Sequence, residues 1–327
     1  PVRYILQKIN TCIFRDVDGL MNNITLVTDH IRKKLAAEGG DYGRGTLTVI
    51  PTTEGEPYYR APDGGCFRAY RFVENTVSLQ SAENPAQFGS LAAAFGKFQN
   101  QLADFDASLL AETIPDFHNT VKRFENFASS VKADRAHRRS AAEKEIEFAM
   151  SREADAGVLV GMLAKGELPL RVTHNDTKLN NVLFDAVTGE AVCVIDLDTV
   201  MPGLVHYDFG DSIRFGASTA AEDEKDLDRV SMSLELFEAY TRGFIASCGG
   251  KLTEAETEYL PFSAKLLTYE CGIRFLSDYL DGDTYFRIHY PEQNLDRCRT
   301  QLKLVADMEK KMPEMKSITE KIVKEYR

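Results

Sequence analysis

The octapeptide His174–Asn181, HNDTKLNN, decides the fold of this chain of 327 residues. It has the form H-x-D-x-x-x-x-N, and a short apolar run, Ala191–Ile195, follows it and delivers Asp196 at its end. The turn signal Thr188-Gly189 lies between the two and predicts a hairpin. Such a hairpin returns Asp196 alongside Asn181. H-x-D by itself is a common pattern, but the whole set at this spacing is far more specific.

These residue types are the ones that phosphoryl transfer from ATP requires. One carboxylate has to accept or orient the proton of the attacking hydroxyl, while an asparagine amide oxygen and a second carboxylate hold Mg²⁺ against the phosphates. Mg²⁺ prefers oxygen ligands and takes few of them from the protein. The spacing therefore predicts a kinase-type site in which Asn181 and Asp196 bind the metal and the base lies nearby. His174 belongs to the same catalytic set, where we interpret it as a brace for the loop rather than a proton carrier.

Composition narrows the class of protein. Hydrophobic residues make up 43% and charged residues 27% of the chain, which is typical of a globular protein with a sizeable core. The net charge of −11 argues against a nucleic-acid surface. No apolar run approaches the ~20 residues that span a bilayer, so we expect no membrane partner. The six cysteines are widely spaced and indicate reduced thiols in a cytoplasmic protein.

The pattern of the chain changes after Asn84-Pro85. Before it, strand patterns at Tyr4–Asn10 and Phe67–Val73 flank a helical pattern at Leu20–Leu35, which together predict a small α+β unit. After it, the chain is mainly helical, apart from the hairpin that carries the catalytic set. A length of 327 residues fits two such lobes.

Six segments, spread over almost the whole chain, resemble one known family. They are Tyr4–Asn10, Leu20–His30, Thr173–Asn181, Ile195–Gly203, Asp208–Arg214 and Arg274–Phe286. The sequence resembles the aminoglycoside phosphotransferase/choline kinase branch of the protein-kinase-like fold, and within it the N-acetylhexosamine 1-kinases. The catalytic motifs are shared by the whole branch, whereas the segments around residues 199–203 and 274–286 point to the narrower group.

The resemblance implies an α+β, bilobal protein-kinase-like fold, with an N-lobe over residues 1–76 and a larger, mainly helical C-lobe over residues 77–327. It implies that ATP phosphorylates the anomeric hydroxyl of N-acetylglucosamine or N-acetylgalactosamine. In this family Asp176 corresponds to the catalytic base, and Asn181 and Asp196 correspond to the Mg²⁺ ligands. Arg274 and Tyr285 correspond to residues that contact the sugar.

The resemblance also sets expectations for ATP. Lys8 is the candidate for the strand lysine that pairs with the α- and β-phosphates, although Asp29 is the only carboxylate that the following helix pattern offers it. An exposed strand residue is the alternative for Lys8. The hinge after the strand pattern places Phe72, Val73 and Glu74 against adenine, which is recognised there through the main chain. We expect the N-lobe to be truncated, with a phosphate-covering strand–turn–strand segment missing before Tyr4.

Several alternatives stay open at this point. Arg274 can bind the sugar or form an ion pair with Glu270 one turn earlier, and Tyr285 can stack on a sugar or cap the core. Asp208-Phe209-Gly210 matches a kinase metal motif, but its place twelve residues after Asp196 favours a bracing role. An aminoglycoside- or choline-type kinase and a regulatory pseudokinase are the competing functions. The partners are a small-molecule sugar and ATP, and the sequence does not indicate an oligomeric state.

Overall fold

The structure, a computed structural model, describes residues 2–80, 82 and 84–326. Four short strands and two helices form its first part. The strands are β1 (Tyr4–Lys8), β2 (Val49–Ile50), β3 (Tyr59–Arg60) and β4 (Cys66–Arg71), and the helices are α1 (Val17–Ala37) and α2 (Tyr42–Gly45). Strand β4 is central, and each of the other three pairs with it in antiparallel fashion.

Helix α1 begins one turn earlier than the periodicity alone predicts, because Asp16 caps its first turn by accepting the Gly19 N–H at 2.8 Å. The side chains of Leu20, Met21, Ile24 and Val27 are fully buried on one face of the helix. That face forms a single apolar core with Cys66 and Tyr70 on the inner face of β4. The alternation along β4 thus decides which of its side chains point inward.

There are two further small sheets in the described part of the chain, and one of them contains the hairpin predicted from the sequence. Strand β5 (Thr76–Ser78) pairs with β7 (Val182–Asp185), and β7 pairs with β8 (Ala191–Val194). Strand β6 (Arg171–Thr173) pairs with β9 (Met201–Gly203). The catalytic octapeptide connects β6 to β7, so its two ends are held by two different sheets.

Helices build the rest of the chain. They are α3 (Pro85–Gln101), α4 (Thr120–Ala133), α5 (Glu143–Met150), α6 (Glu153–Ala156), α7 (Val158–Ala164), α8 (Val205–Gly216), α9 (Leu234–Ser247), α10 (Glu254–Asp281) and α11 (Gln293–Tyr326). The architecture is the bilobal mixture of helix and sheet that the sequence predicts. Within the described residues, none of these helices combines the length and the apolar composition that crossing a bilayer demands.

Helices α3 and α9 pack so closely that glycine is needed at their crossing. A Cβ on Gly243 would lie 2.3 Å from the main-chain oxygen of Gly89, and one on Gly96 would lie 2.4 Å from that of Phe244. These contacts are with backbone, which cannot move aside as a flexible side chain can. The same helices carry Phe88, Phe95 and other aromatic side chains of the largest core.

Glu256 joins three elements near the end of that core. It forms a capping box with Thr253 at the start of α10. Its carboxylate also accepts two N–H groups from Arg171 of β6, one of them at 2.7 Å. The ring of His206, on α8, bonds the main-chain oxygen of Glu256 at 3.0 Å. The strand that leads into the catalytic loop is therefore tied to α8 and α10.

We predict that Gly243→Ala destabilises the protein although alanine favours a helix. The clash with the Gly89 carbonyl costs about 1–3 kcal/mol, more than the roughly 1 kcal/mol that alanine gains in helix propensity. The matched control is Gly161→Ala in α7, where an added Cβ meets no described atom within 4 Å. Thermal denaturation should give a lower midpoint for the first variant and an unchanged or higher midpoint for the second; equal shifts would contradict this packing.

A second prediction concerns acid stability. Complete burial lowers the pKa of His206 to about 4. Between pH 6.5 and 4 the unfolded chain therefore takes up a proton that the folded protein resists, so the free energy of unfolding falls as pH decreases. From pH 7 to pH 5 this loss amounts to about 2 kcal/mol.

His206→Gln keeps a donor for the Glu256 carbonyl but does not titrate, so it should lose less stability over this pH range than the wild type. Urea denaturation at pH 7 and pH 5 measures the difference. His289→Gln, at an exposed histidine, is the control and should follow the wild type. Identical pH dependence in all three proteins would show that His206 does not contribute.

Candidate functional site

The catalytic loop, His174–Asn181, is anchored by Asp208, a fully buried residue of α8. Its carboxylate accepts the main-chain N–H groups of His174 at 3.0 Å and Asn175 at 2.7 Å, together with the side-chain amide of Gln99 at 3.0 Å. Burial raises the pKa of Asp208, and the charge of His174 and these three donors act against that rise. The bracing role predicted for Asp208 is confirmed by these bonds.

His174 also holds the loop rather than facing the solvent. Its ring is fully buried, edge-on to Phe95 at 5.4 Å between centroids. The Nε2 atom lies 2.9 Å from the main-chain oxygen of Ile195, and Nδ1 accepts the Asp176 N–H at 3.3 Å. Both ring nitrogens are thus engaged with the main chain on either side of the site, which is the geometry of a positioning residue.

Asp176 and Asn181 are brought together by the tight turn between them. The Asn181 side-chain amide donates to the Asp176 carboxylate at 3.1 Å and to the Asp176 main-chain oxygen at 2.8 Å. The other carboxylate oxygen of Asp176 lies 2.6 Å from the ammonium of Lys178. These contacts orient the carboxylate, and they leave the amide oxygen of Asn181 for another partner.

Asp196 completes the set from the second strand of the hairpin. The Ile195 N–H donates to the Asn181 main-chain oxygen at 2.9 Å, which places Asp196 beside the loop as the hairpin predicts. Asp196 has a positive φ of 58°, a conformation that aspartate tolerates better than most residues. Desolvation raises the pKa of its carboxyl, and the negative charges of Asp198 and Asp176 raise it further.

This donor set fits Mg²⁺. The amide oxygen of Asn181 and the carboxylate of Asp196 are oxygen ligands, and a divalent cation would relieve the repulsion among the neighbouring carboxylates. Over the described part of the chain, no three or more His, Cys, Asp and Glu side chains cluster into a metal cage. A pair of protein ligands suits Mg²⁺, because the ion keeps phosphate and water in its remaining positions.

A cavity of about 310 Å³ opens between the first sheet and the catalytic hairpin. Asn181 and Asp196 line it from the hairpin side. The other lining residues come mainly from β1, β4 and the segment after β4, and they are Ile5, Gln7, Leu47, Arg68, Tyr70, Arg71, Phe72, Val73, Thr76, Leu183 and Ile195. The expected metal ligands, Asn181 and Asp196, therefore line the same cavity as Phe72 and Val73 of the expected hinge.

The expected hinge residues differ in their placement. Phe72 and Val73 line the cavity, whereas Glu74 lies outside its lining and forms an ion pair with Arg3. The Phe72 N–H already donates to the Arg3 main-chain oxygen at 2.9 Å, and the Val73 oxygen accepts the Thr76 hydroxyl at 2.9 Å. Main-chain recognition of a base at this hinge therefore has to use other groups, or the second lone pair of the Val73 oxygen.

Lys8 is not brought to the cavity. It pairs with Phe67 across the strands, and its ammonium lies 5.9 Å from the centre of that ring. The neighbouring pair, Gln7 with Arg68, occupies the opposite face of the sheet and lines the cavity. Cross-strand partners share a face and successive residues alternate, so the register itself turns Lys8 away.

Arg274, near the end of α10, and Tyr285, in the turn after that helix, lie near one another. The Arg274 guanidinium is 6.0 Å from the Tyr285 ring centre and 5.5 Å from that of Phe286. Glu270 does not pair with Arg274 in the described structure, because its carboxylate is occupied by His118 at 2.8 Å and Thr120 at 2.6 Å. A direct ion pair between the two is therefore absent from the described structure, although the charge of Arg274 still acts to lower the pKa of Glu270.

Tyr285 is 73% exposed, so it does not cap the core. The turn that carries it is held by the buried carboxylate of Asp278, which accepts the main-chain N–H groups of Thr284, Tyr285 and Phe286 at 2.8–2.9 Å. The aromatic ring is thus presented to solvent from a fixed main chain.

A second cavity, of about 340 Å³, also borders the catalytic loop. Asn175 and Gly203 line it near the loop, and Glu112, Asp116 and His118 form part of its polar wall. Glu270, one helical turn before Arg274, bonds His118 of this wall, whereas Arg274 itself does not line the cavity.

Sequence reasoning overlooked some of the residues that the fold brings to the site. Lys178, two residues after Asp176, could have been found from its spacing, because the two side chains flank one turn. Arg68 and Gln7 carry no such signal, since their position in the cavity depends on the register of β1 against β4.

Solved structures share this fold. An aminoglycoside phosphotransferase from Alicyclobacillus acidocaldarius superposes with a TM-score of 0.56 and 14% identity, covering 98% of this chain and 87% of that one. A microcompartment-associated aminopropanol kinase superposes with a TM-score of 0.51 and 14% identity, covering 96% of this chain and 87% of that one. An ethanolamine kinase from Plasmodium vivax has a TM-score of 0.51 and 14% identity, and the match covers 91% of this chain and 75% of that one. At this level of identity the similarity concerns the fold alone.

The sequence itself matches a family of known chemistry. Residues 42–240, which include β4, the catalytic loop, the hairpin and α8, match the APH family, described as the phosphotransferase enzyme family. Because this match spans more than half of the chain, the protein belongs to the phosphotransferase enzyme family.

Proposed function

We propose that this phosphotransferase is an N-acetylhexosamine 1-kinase, which transfers the γ-phosphoryl group of ATP to the anomeric hydroxyl of N-acetylglucosamine or N-acetylgalactosamine. One observation carries the kinase assignment: Asn181 and Asp196 face the same cavity as Phe72 and Val73, with Asp176 bonded to Asn181. The sugar assignment is supported by the resemblance of residues 199–203 and 274–286 to that group of kinases.

In this proposal Asp176 accepts a hydrogen bond from the anomeric hydroxyl and orients it towards the phosphoryl group. The transition state of phosphoryl transfer is loose, so orientation contributes more than strong proton abstraction. Lys178 and Asn181 hold the carboxylate from either side. Bound Mg²⁺, held by Asn181 and Asp196, supplies charge neutralisation at the phosphates. Adenine lies against Phe72 and Val73, the two hinge residues that line the cavity.

The sugar would lie on the C-terminal side of the loop, with Arg274 and Tyr285. The exposed Tyr285 ring offers an apolar face for stacking, and the Arg274 guanidinium, without a carboxylate partner in the described structure, offers donors to sugar oxygens. We also propose that the N-lobe comprises residues 1–76 and the C-lobe residues 77–327, so that closure of the lobes excludes water from the reaction.

Phosphorus NMR tests the reaction directly. The protein is incubated with Mg-ATP and, separately, N-acetylglucosamine, N-acetylgalactosamine, choline, ethanolamine and an aminoglycoside. We expect a new sugar-phosphate resonance coupled to the anomeric proton with at least one of the two sugars. The relative rates rank the two sugars.

The other acceptors are the controls for this experiment. A phosphate ester formed only with choline, ethanolamine or the aminoglycoside would overturn the sugar assignment and retain a small-molecule kinase. Binding of nucleotide or sugar without turnover of any acceptor would favour a regulatory pseudokinase.

Asp176→Asn should lower kcat by about 10²–10⁴-fold, because the amide keeps the shape of the side chain but cannot accept the hydroxyl proton. Binding of ADP, measured by calorimetry, should change by less than about threefold, since Asp176 is not assigned to the nucleotide.

The matched control is Asp228→Asn, which removes the same charge from an exposed surface position and should keep the wild-type rate. Full activity in Asp176→Asn would show that another group orients the acceptor. Loss of ADP binding together with activity would indicate that the loop itself had been disrupted.

A further inference from the structure

Arg68 is a buried cation on the wall of the nucleotide cavity. It lies on the central strand β4, its side chain is only 5% exposed, and it lines the cavity together with Asn181 and Asp196. Arg71 also lines this space, but it is exposed and lies next to Phe72 at the hinge end of the strand. Arg68 is thus the cation on the side where the metal ligands lie.

Carboxylates dominate the surroundings of Arg68. Its Nη1 lies 2.6 Å from Oδ1 of Asp198, and the nearby charges of Asp198 and Asp196 favour its charged form. Of these carboxylates Asp196 lines the cavity, and the charges of Asp198 and Asp176 act on it from nearby. A polyphosphate entering the cavity meets repulsion unless cations offset those charges, and a guanidinium stays charged at any ordinary pH.

The Arg68 side chain is held in place without using all its donors. Its Nε donates to Oε1 of Gln7 at 3.1 Å, and its Cζ lies 5.2 Å from the ring centre of Tyr70. A guanidinium has five N–H groups, so the Gln7 bond and the Asp198 contact leave donors for a further anion. The planar fork can hold a carboxylate and a phosphate oxygen together, which an ammonium cannot do with fixed geometry.

We propose that Arg68 binds the α- or β-phosphate of the nucleotide, in the role that the sequence suggests for Lys8. The inference rests on the proposed kinase function and assigns the phosphate-binding cation within it. Lys8 lies on the opposite face of the sheet, beside Phe67, whereas Arg68 and its partner Gln7 face the cavity. Asp198 then serves as the carboxylate that holds this cation. A glutamate on the helix after the strand would have that role beside Lys8, but α1 contains no glutamate.

Calorimetric titrations with ADP and with adenosine test this assignment, each with Mg²⁺ and again in EDTA. Arg68→Met should weaken ADP binding at least 30-fold and change adenosine binding by less than threefold, because adenosine has no phosphate. The difference should persist in EDTA, where the metal ligands cannot contribute. Arg68→Lys should restore part of the affinity for ADP.

Arg60→Met is the matched control, since Arg60 lies on β3 of the same sheet, is exposed, and is absent from the cavity wall. It should bind ADP as the wild type does. Arg68→Met leaves Asp198 without its cation, which can impair folding. The double variant Arg68→Met/Asp198→Asn removes both charges of the pair and should show the same selective loss of ADP binding.

The outcomes separate the two proposals. If the wild type binds ADP and the Arg68 variants bind it with the same affinity, the role of Arg68 is overturned and the kinase assignment stays in place. A selective loss of ADP affinity in Lys8→Met instead would have the same meaning. Equal losses for ADP and adenosine in the folded double variant would also overturn it, because they indicate a structural contribution. Failure of the wild type to bind either compound would remove both proposals.

Discussion

The buried carboxylate of Asp208 is the contact on which the site depends. It accepts the main-chain N–H groups of His174 and Asn175 and the amide of Gln99, so it joins the catalytic loop to α8 and α3. A loop cannot pair these N–H groups within itself, and leaving them buried without acceptors would cost several kcal/mol. One charged acceptor thus fixes the loop, and the loop then presents Asp176 and Asn181.

A second layer of contacts fixes the strands on either side of that loop. Arg171 of β6 is held by Glu256, and His206 of α8 bonds the main chain of the same residue. The ring of His174 reaches across to the oxygen of Ile195, next to Asp196. The two strands of the catalytic region are therefore positioned by buried polar contacts, whereas the apolar core supplies most of the stability.

Negative charge is concentrated beside the cavity that Asn181 and Asp196 line. Besides desolvation, the charges of Asp198 and Asp176 raise the pKa of Asp196, and the charges of Asp198 and Asp196 favour the charged form of Arg68. A cluster of carboxylates is stabilised by nearby cations, and the buried guanidinium of Arg68 is one of them. The family assignment as a phosphotransferase is consistent with this electrostatic design.

The sequence by itself determined the bilobal fold and the hairpin that unites Asn181 with Asp196. These features follow from local patterns: alternating or helical periodicity, turn residues and the fixed spacing of one loop. It also indicated that Asp208 braces the loop. The identity of the cation facing the cavity was decided only by the tertiary structure. A strand alternates its faces, so the pairing register of β1 with β4 turns Lys8 outward and Arg68 inward, and neither residue reveals that register in its own sequence neighbourhood.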